Sequence, residues 1–237
     1  SNYVLSSTHN STNNNVTITP RTVTLSGNQV YSGSTVLTNV TIGNLVGSET
    51  LAYAGNAASK NVQDNGTNYI ANLTLSNGAN GGLASNYQLP TLNLTNAPVT
   101  ITRLNTVTWI GGSSGNWFDP ANWAGGAVPD LNNVANVVIP SNVTVLFNSN
   151  ITPPAQAGTV SIDSLGAAGG NLTQTTGTLD VGAGGITLNT LTQSGGNLSS
   201  QGNVTLTTFD QSNGSSTFSS NLTTTNYLQS GGTTTTN

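Results

Sequence analysis

The chain has 237 residues, of which only 4% are charged, with no cysteine, no methionine and a net charge of −4. Globular chains normally carry ~25% charged residues, so solubility here falls to Asn, Thr, Ser and Gln, and the missing cysteine removes disulfides, thiolate metal clusters and thiol catalysis together. Arg21, Lys60 and Arg103 are too few bases for a nucleic-acid footprint, and no apolar run approaches the ~20 residues that cross a bilayer.

Glu, Lys, Arg and Met are scarce while Thr and Val abound, and apolar residues alternate in VTIT, VTLS, NLTLS and NVTVLF. That composition and period predict an ordered all-β chain. The start has no basic region followed by an apolar one, so it reads as lacking a signal peptide and as part of something longer.

In chain order, Ser1-Asn2-Tyr3 returns as Ser85-Asn86-Tyr87, and Val16-Thr17-Ile18-Thr19 returns as Val99-Thr100-Ile101-Thr102, at nearly the same offset. Residues 1–20 therefore read as the closing strands of one repeat and 21–102 as a complete following copy. Strands are expected near Thr22–Ser26, Thr35–Ile42, Thr50–Ala54, Tyr69–Ser76 and Gln88–Thr102, with turns at Ser32-Gly33, Asp64-Asn65-Gly66, Asn77-Gly78 and Asn80-Gly81. The product is a small antiparallel β-domain of sandwich or β-grasp type. His9 lies in a polar run, STHNSTNNN, and reads as a surface histidine rather than a triad member.

The patterns VTLSGNQVYSGSTVLTNV and GLASNYQLPTLNLTNAPVTIT resemble the YDG-type repeats of large bacterial surface exoproteins. Tyr31 and Gly33 would be the signature tyrosine and glycine, and Ser32 stands where that family usually has an acid.

Residues 103–140 hold three tryptophans in WIGGSSGNWFDPANWAGGAVP…VVIP. This stretch resembles a motif at the start of β-helical passenger regions in filamentous-haemagglutinin-like and autotransporter adhesins. It reads as a junction or cap, because bulky rings can close the exposed apolar end of a strand stack. The alternative is a sugar-stacking platform, with Trp117 and Trp123 as the candidate glycan contacts.

From residue 141 onward the chain repeats itself. Gln174, Gln193, Gln211 and Gln229 recur at intervals of 19, 18 and 18 residues, each two positions after an apolar residue: Leu172, Leu191, Phe209 or Tyr227. A period so short cannot be a globular domain, so each unit is one rung of a stack with parallel strands ~4.8 Å apart. A right-handed parallel β-helix over 141–237 is expected, with 18–19 residue coils. Ile162, Leu165, Ile186, Leu188, Val204, Leu206 and Leu222 should point inward. The four glutamines are expected to form a structural ladder of side-chain amides. The last unit, YLQSGGTTTTN, has no polar or aromatic cap, and the stack is expected to continue past it.

Asp163 and Asp180 lie about one repeat apart and could stack, and a retaining glycosidase needs carboxyls ~5–5.5 Å apart. Local sequence offers them no Lys, Arg, His or Trp, so two isolated turn aspartates are favoured. The seven acids never cluster as a hard cation requires. The outward Thr205, Thr207, Thr223 and Thr225 form a short Thr-x-Thr array of the kind ice-binding solenoids use, but Asn189 interrupts it one rung earlier. Asn-x-Ser/Thr sequons such as Asn39, Asn142 and Asn221 are about as frequent as chance predicts in this composition.

No catalytic residue, metal site or cofactor is therefore read from the sequence. The resemblances imply a secreted bacterial cell-surface adhesin or matrix protein whose repeats give a stiff stalk for attachment or biofilm cohesion. Its expected partners are surface glycans or matrix polysaccharide, summed over many weak contacts. A self-assembling extracellular filament joined end to end is the alternative, and a polysaccharide-degrading enzyme is a distant third.

Overall fold

A computed structural model describes residues 19–149, 158–166 and 169–237. His9 and the segment 1–18 lie outside the described residues. Strand pairing divides the rest between Thr102 and Leu104.

The first unit carries β1 (Arg21–Thr22), β2 (Thr24–Val30), β3 (Val40–Gly43), β4 (Leu51–Ala57), β5 (Ile70–Asn77), β6 (Tyr87–Gln88) and β7 (Val99–Thr102). Burial alternates strictly along β2, the period-2 signature of a sheet with one wet face. The β2–β3 and β4–β5 pairs are antiparallel, but β7 lies parallel to β2 and β6 parallel to β1. The unit is thus a mixed sheet system, not the purely antiparallel one expected. A parallel neighbour needs a long return connection, and the segment from β3 to β6 supplies it. The expected strand over Gln88–Thr102 splits into β6 and β7, because Pro90 and Pro98 cannot donate to a ladder.

The second unit is one strongly curled ten-stranded sheet. It contains β8 (Leu104–Thr108), β9 (Ser114–Asn116), β10 (Val134–Val138), β11 (Thr144–Phe147), β12 (Thr159–Gly166), β13 (Asn171–Gln174), β14 (Thr178–Ser200), β15 (Val204–Phe218), β16 (Leu222–Gln229) and β17 (Thr233–Thr236). Every strand pair in it is parallel. The tryptophan-rich stretch is more than a plug, since it contributes β8, β9 and β10 to the sheet itself.

Identical sequence positions pair with one another. Leu172 faces Leu191, Leu191 faces Phe209 and Phe209 faces Tyr227; Ile186 faces Val204 and Leu188 faces Leu206. Ile162, Leu165, Ile186, Leu188, Val204 and Leu206 are buried, while Leu222 is half-buried. Each fully buried Leu, Ile or Phe contributes about 1.5–3 kcal/mol, so the columns stabilise the sheet repeat by repeat. The glycine three residues after each glutamine has a geometric cause. Gly196, Gly214 and Gly232 have φ of +77°, +88° and +77°. A Cβ there would lie 2.5–2.7 Å from the carbonyl of the equivalent glycine one repeat earlier. Only glycine supplies both the left-handed turn and the close backbone approach.

Among the described residues, no helix is long and apolar enough to cross a membrane.

Candidate functional site

The two units meet at a buried polar junction. Tyr31, at the end of β2, is 2% exposed, and its hydroxyl donates to Val128 O at 2.9 Å and to Asp130 Oδ1 at 3.0 Å. Asn133 is fully buried and donates from Nδ2 to the same Asp130 Oδ1 at 2.7 Å and to Asn61 Oδ1 at 3.0 Å. Its own Oδ1 accepts from the Val62 backbone N–H at 2.8 Å. Lys60 Nζ stands 3.7 Å from Asp130 Oδ2 and 5.8 Å from the centre of the Tyr31 ring. Burial, then the Asp130 charge and its hydrogen bond, push the Tyr31 hydroxyl pKa well above its ordinary value.

Gly33 completes the contact. Its φ is +76°, and a Cβ would sit 2.3 Å from the Gly126 carbonyl oxygen of the other unit. Tyr31 and Gly33, singled out as a family signature, are thus both placed at the joint, whereas Ser32 between them points to solvent. Sequence reading did not assign Asp130 or Asn133 any role. The only available signal was a buried-type pattern, PDLNNVANVV, holding polar residues.

The tryptophans lie beside this joint, inside. Trp109 packs edge-to-face on Trp123 at 5.2 Å, Trp117 on Trp123 at 5.1 Å and Trp117 on Phe147 at 5.2 Å. The indole N–H of Trp117 donates to Pro129 O at 2.8 Å, and that of Trp123 to Trp117 O at 2.5 Å. Trp117 and Trp123 are 0% exposed. The glycan-platform reading of these two residues is therefore corrected: a sugar needs an open ring face, and both faces are packed.

Gln174, Gln193, Gln211 and Gln229 face one another in register along the sheet. Gln193 donates to Gln174 Oε1 at 3.4 Å, Gln211 to Gln193 Oε1 at 2.8 Å, and Gln229 to Gln211 Oε1 at 2.8 Å. The second amide hydrogen of each of the first three crosses the interior to a carbonyl on another strand: Asn197 O, Ser215 O and Thr233 O respectively. The first three glutamines are fully buried. A satisfied buried amide chain of this kind both ties the strands together and fixes their register.

Asp163 and Asp180 do not form a stacked pair. The register places Asp180 opposite Ser161, and a shift between Ile162 and Ser164 leaves Asp163 facing Gly182–Gly184. The coil is 19 residues long before that shift (180−161) and 21 after it (185−164), so the 17-residue spacing of the two acids (180−163) matches neither. The two acids instead line an open polar groove of about 610 Å³ with Asn132, Ser199, Gln201 and Arg103. Arg103 Nη1 meets Asp163 Oδ1 at 2.7 Å, and Ser199 donates to Asp180 Oδ1 at 2.7 Å. A cation was thus brought to Asp163 from 60 residues upstream, which local sequence could not reveal. Asp163 is spent on that ion pair and Asp180 on Ser199.

Compared with protein-family models, curated proteins and solved structures, the chain matches none.

Proposed function

We propose that this chain is a length of a secreted bacterial surface adhesin or matrix protein, working as a stiff stalk. In this reading the curled parallel sheet is a right-handed parallel β-helix, with a YDG-like unit over 21–102 docked onto its tryptophan-rich first strands. The observation that carries it is the junction Tyr31–Asp130–Asn133–Asn61. Covalently linked domains usually meet through small polar contacts that permit motion, whereas this contact is buried, hydrogen-bonded and closed around Gly33. A joint of this kind transmits load and orientation instead of bending. Inside the stack the glutamine row plays the same part, coupling each repeat to the next. Attachment would then come from many weak contacts with surface glycans or matrix polysaccharide presented along a rigid rod. No catalytic step belongs to this reading.

Small-angle X-ray scattering of the purified chain tests the mechanical half. A single rigid elongated particle is expected, and a bimodal or flexible-dumbbell profile would reject it. Glycan-array binding tests the adhesive half, with the chain expected to bind surface or matrix saccharides; an array without binding rejects adhesion by this segment.

A further inference from the structure

The same junction points to a covalent step. We propose that Lys60 and Asn133 condense into an intramolecular amide that welds the first unit to the curled sheet, with Asp130 carrying the proton. Lys60 is the only lysine in the chain. Its Nζ lies 3.7 Å from Asp130 Oδ2, while Asn133 Nδ2 donates to Asp130 Oδ1 at 2.7 Å. One carboxylate therefore bridges an amine nucleophile and a carboxamide. The carboxamide is fully buried and the carboxylate nearly so, which excludes competing water. The segment bearing Lys60 is pinned to Asn133 twice more, by Asn61 Oδ1 at 3.0 Å and the Val62 N–H at 2.8 Å. Such fixed proximity is what raises the rate of an otherwise slow amide exchange.

Each contact has a part in the reaction. Asp130 Oδ2 takes a proton from the Lys60 ammonium, and the freed amine attacks Asn133 Cγ. Negative charge grows on Asn133 Oδ1, where the Val62 N–H already donates. Asp130 then passes its proton to Nδ2, the Cγ–Nδ2 bond breaks and ammonia leaves, taking up the second proton of the former Lys60 nitrogen. In sum, ammonium plus carboxamide gives secondary amide plus ammonium ion; no oxidant or reductant takes part. Tyr31, donating to Asp130 Oδ1 at 3.0 Å, is a positioning residue that holds the carboxylate in place.

Intact-mass spectrometry of the folded chain is the direct test. The expected mass is lower than the sequence mass by one ammonia. Trypsin cuts after Arg21 and Arg103, yet on a denaturing gel fragments 22–103 and 104–237 should stay joined. Asp130→Asn should restore the full mass and let the fragments separate. Lys60→Arg keeps the positive charge beside Asp130 and removes the nucleophile, so a folded Lys60→Arg chain of full mass separates bond formation from folding. A folded wild-type chain at full sequence mass overturns the proposal and leaves an ion pair. A loss of one water instead also overturns it, since the partner would then be Asp130 itself. Neither outcome bears on whether the chain is an adhesin.

Discussion

The Tyr31 hydroxyl and the Asp130 carboxylate, one from each unit, meet at 3.0 Å with almost no solvent access. That contact has the properties of a structural bolt. Removing the hydroxyl leaves Val128 O with only the Asp130 backbone N–H as donor and Asp130 Oδ1 with only Asn133 Nδ2. A hydrogen bond to a charged group is worth about 1.5–3 kcal/mol. Tyr31→Phe should therefore lose about that much stability in urea or guanidinium unfolding, with the ring packing retained. If the two units unfold separately in the variant and together in the wild type, the bolt also couples their cooperativity.

The same group predicts an alkaline limit. Folding raises the Tyr31 pKa above the ordinary tyrosine value of 10.0, so the folded state keeps a proton that the unfolded state releases. The stability it provides is complete below about pH 10 and declines as pH rises beyond that, at up to about 1.4 kcal/mol per pH unit. Denaturant midpoints measured from pH 8 to pH 11.5 should fall steeply only at the alkaline end. Tyr31→Phe should flatten that end of the profile relative to wild type.

Gly33 makes a sharper steric claim. Alanine there would hold a left-handed φ of +76° and push a Cβ to 2.3 Å from Gly126 O. The backbone conformation alone costs about 1–2 kcal/mol, and the contact cannot be relieved without separating the units. Gly33→Ala should destabilise the chain by more than that figure and increase its radius of gyration in scattering. Ser32→Ala, on the exposed position next door, should change neither.

Legibility differed between the two units for a physical reason. In the glutamine-marked repeats, each residue pairs with its counterpart 18 or 19 positions away, so period alone placed Leu191 on Leu172 and Gln211 on Gln193. Earlier in the sheet the spacing drifts. Thr106 pairs with Asn136, Asn136 with Ser164 and Ser164 with Gly185, and no fixed period survives the inserted turns. The expected Asp163–Asp180 stack failed because the coil there is 19 residues long, which pairs Asp180 with Ser161. The junction was unreadable for another reason: Lys60, Asn61, Asp130 and Asn133 come from strand-poor loops far apart in sequence, and polar residues in loops normally signal exposure, not burial. The tryptophans stand out in the sequence, but it is the fold that covers their ring faces.

At the groove, Asp163 is held by Arg103. Its ion pair with Arg103 is short at 2.7 Å, but the side chains are 30% and 56% exposed for Arg103 and Asp163. Exposed pairs are worth at most about 1 kcal/mol. Asp163→Asn should thus shift stability by no more than that. Wild type and variant should be equally silent in reducing-sugar assays on pectin-like and biofilm polysaccharides. Sugar release by wild type that disappears in Asp163→Asn would make the groove an active site.

The glutamine row yields a graded prediction, because its members differ in burial and not in chemistry. Gln211 is fully buried; it donates to Gln193 Oε1 and Thr233 O, and accepts from Gln229 Nε2 and Thr234 Oγ1. Gln229 is exposed and has one neighbour in the row. Gln211→Ala opens a cavity and removes the buried hydrogen bonds to Gln193 Oε1 and the Thr233 carbonyl, for an expected loss of about 2–3 kcal/mol. Gln229→Ala should cost under about 1 kcal/mol, as exposed substitutions usually do. Equal losses at both positions would show that the amide chain contributes nothing beyond side-chain volume. A larger loss at Gln211, accompanied by faster amide hydrogen exchange in β15 and β17, would show that the row holds its neighbouring strands in register.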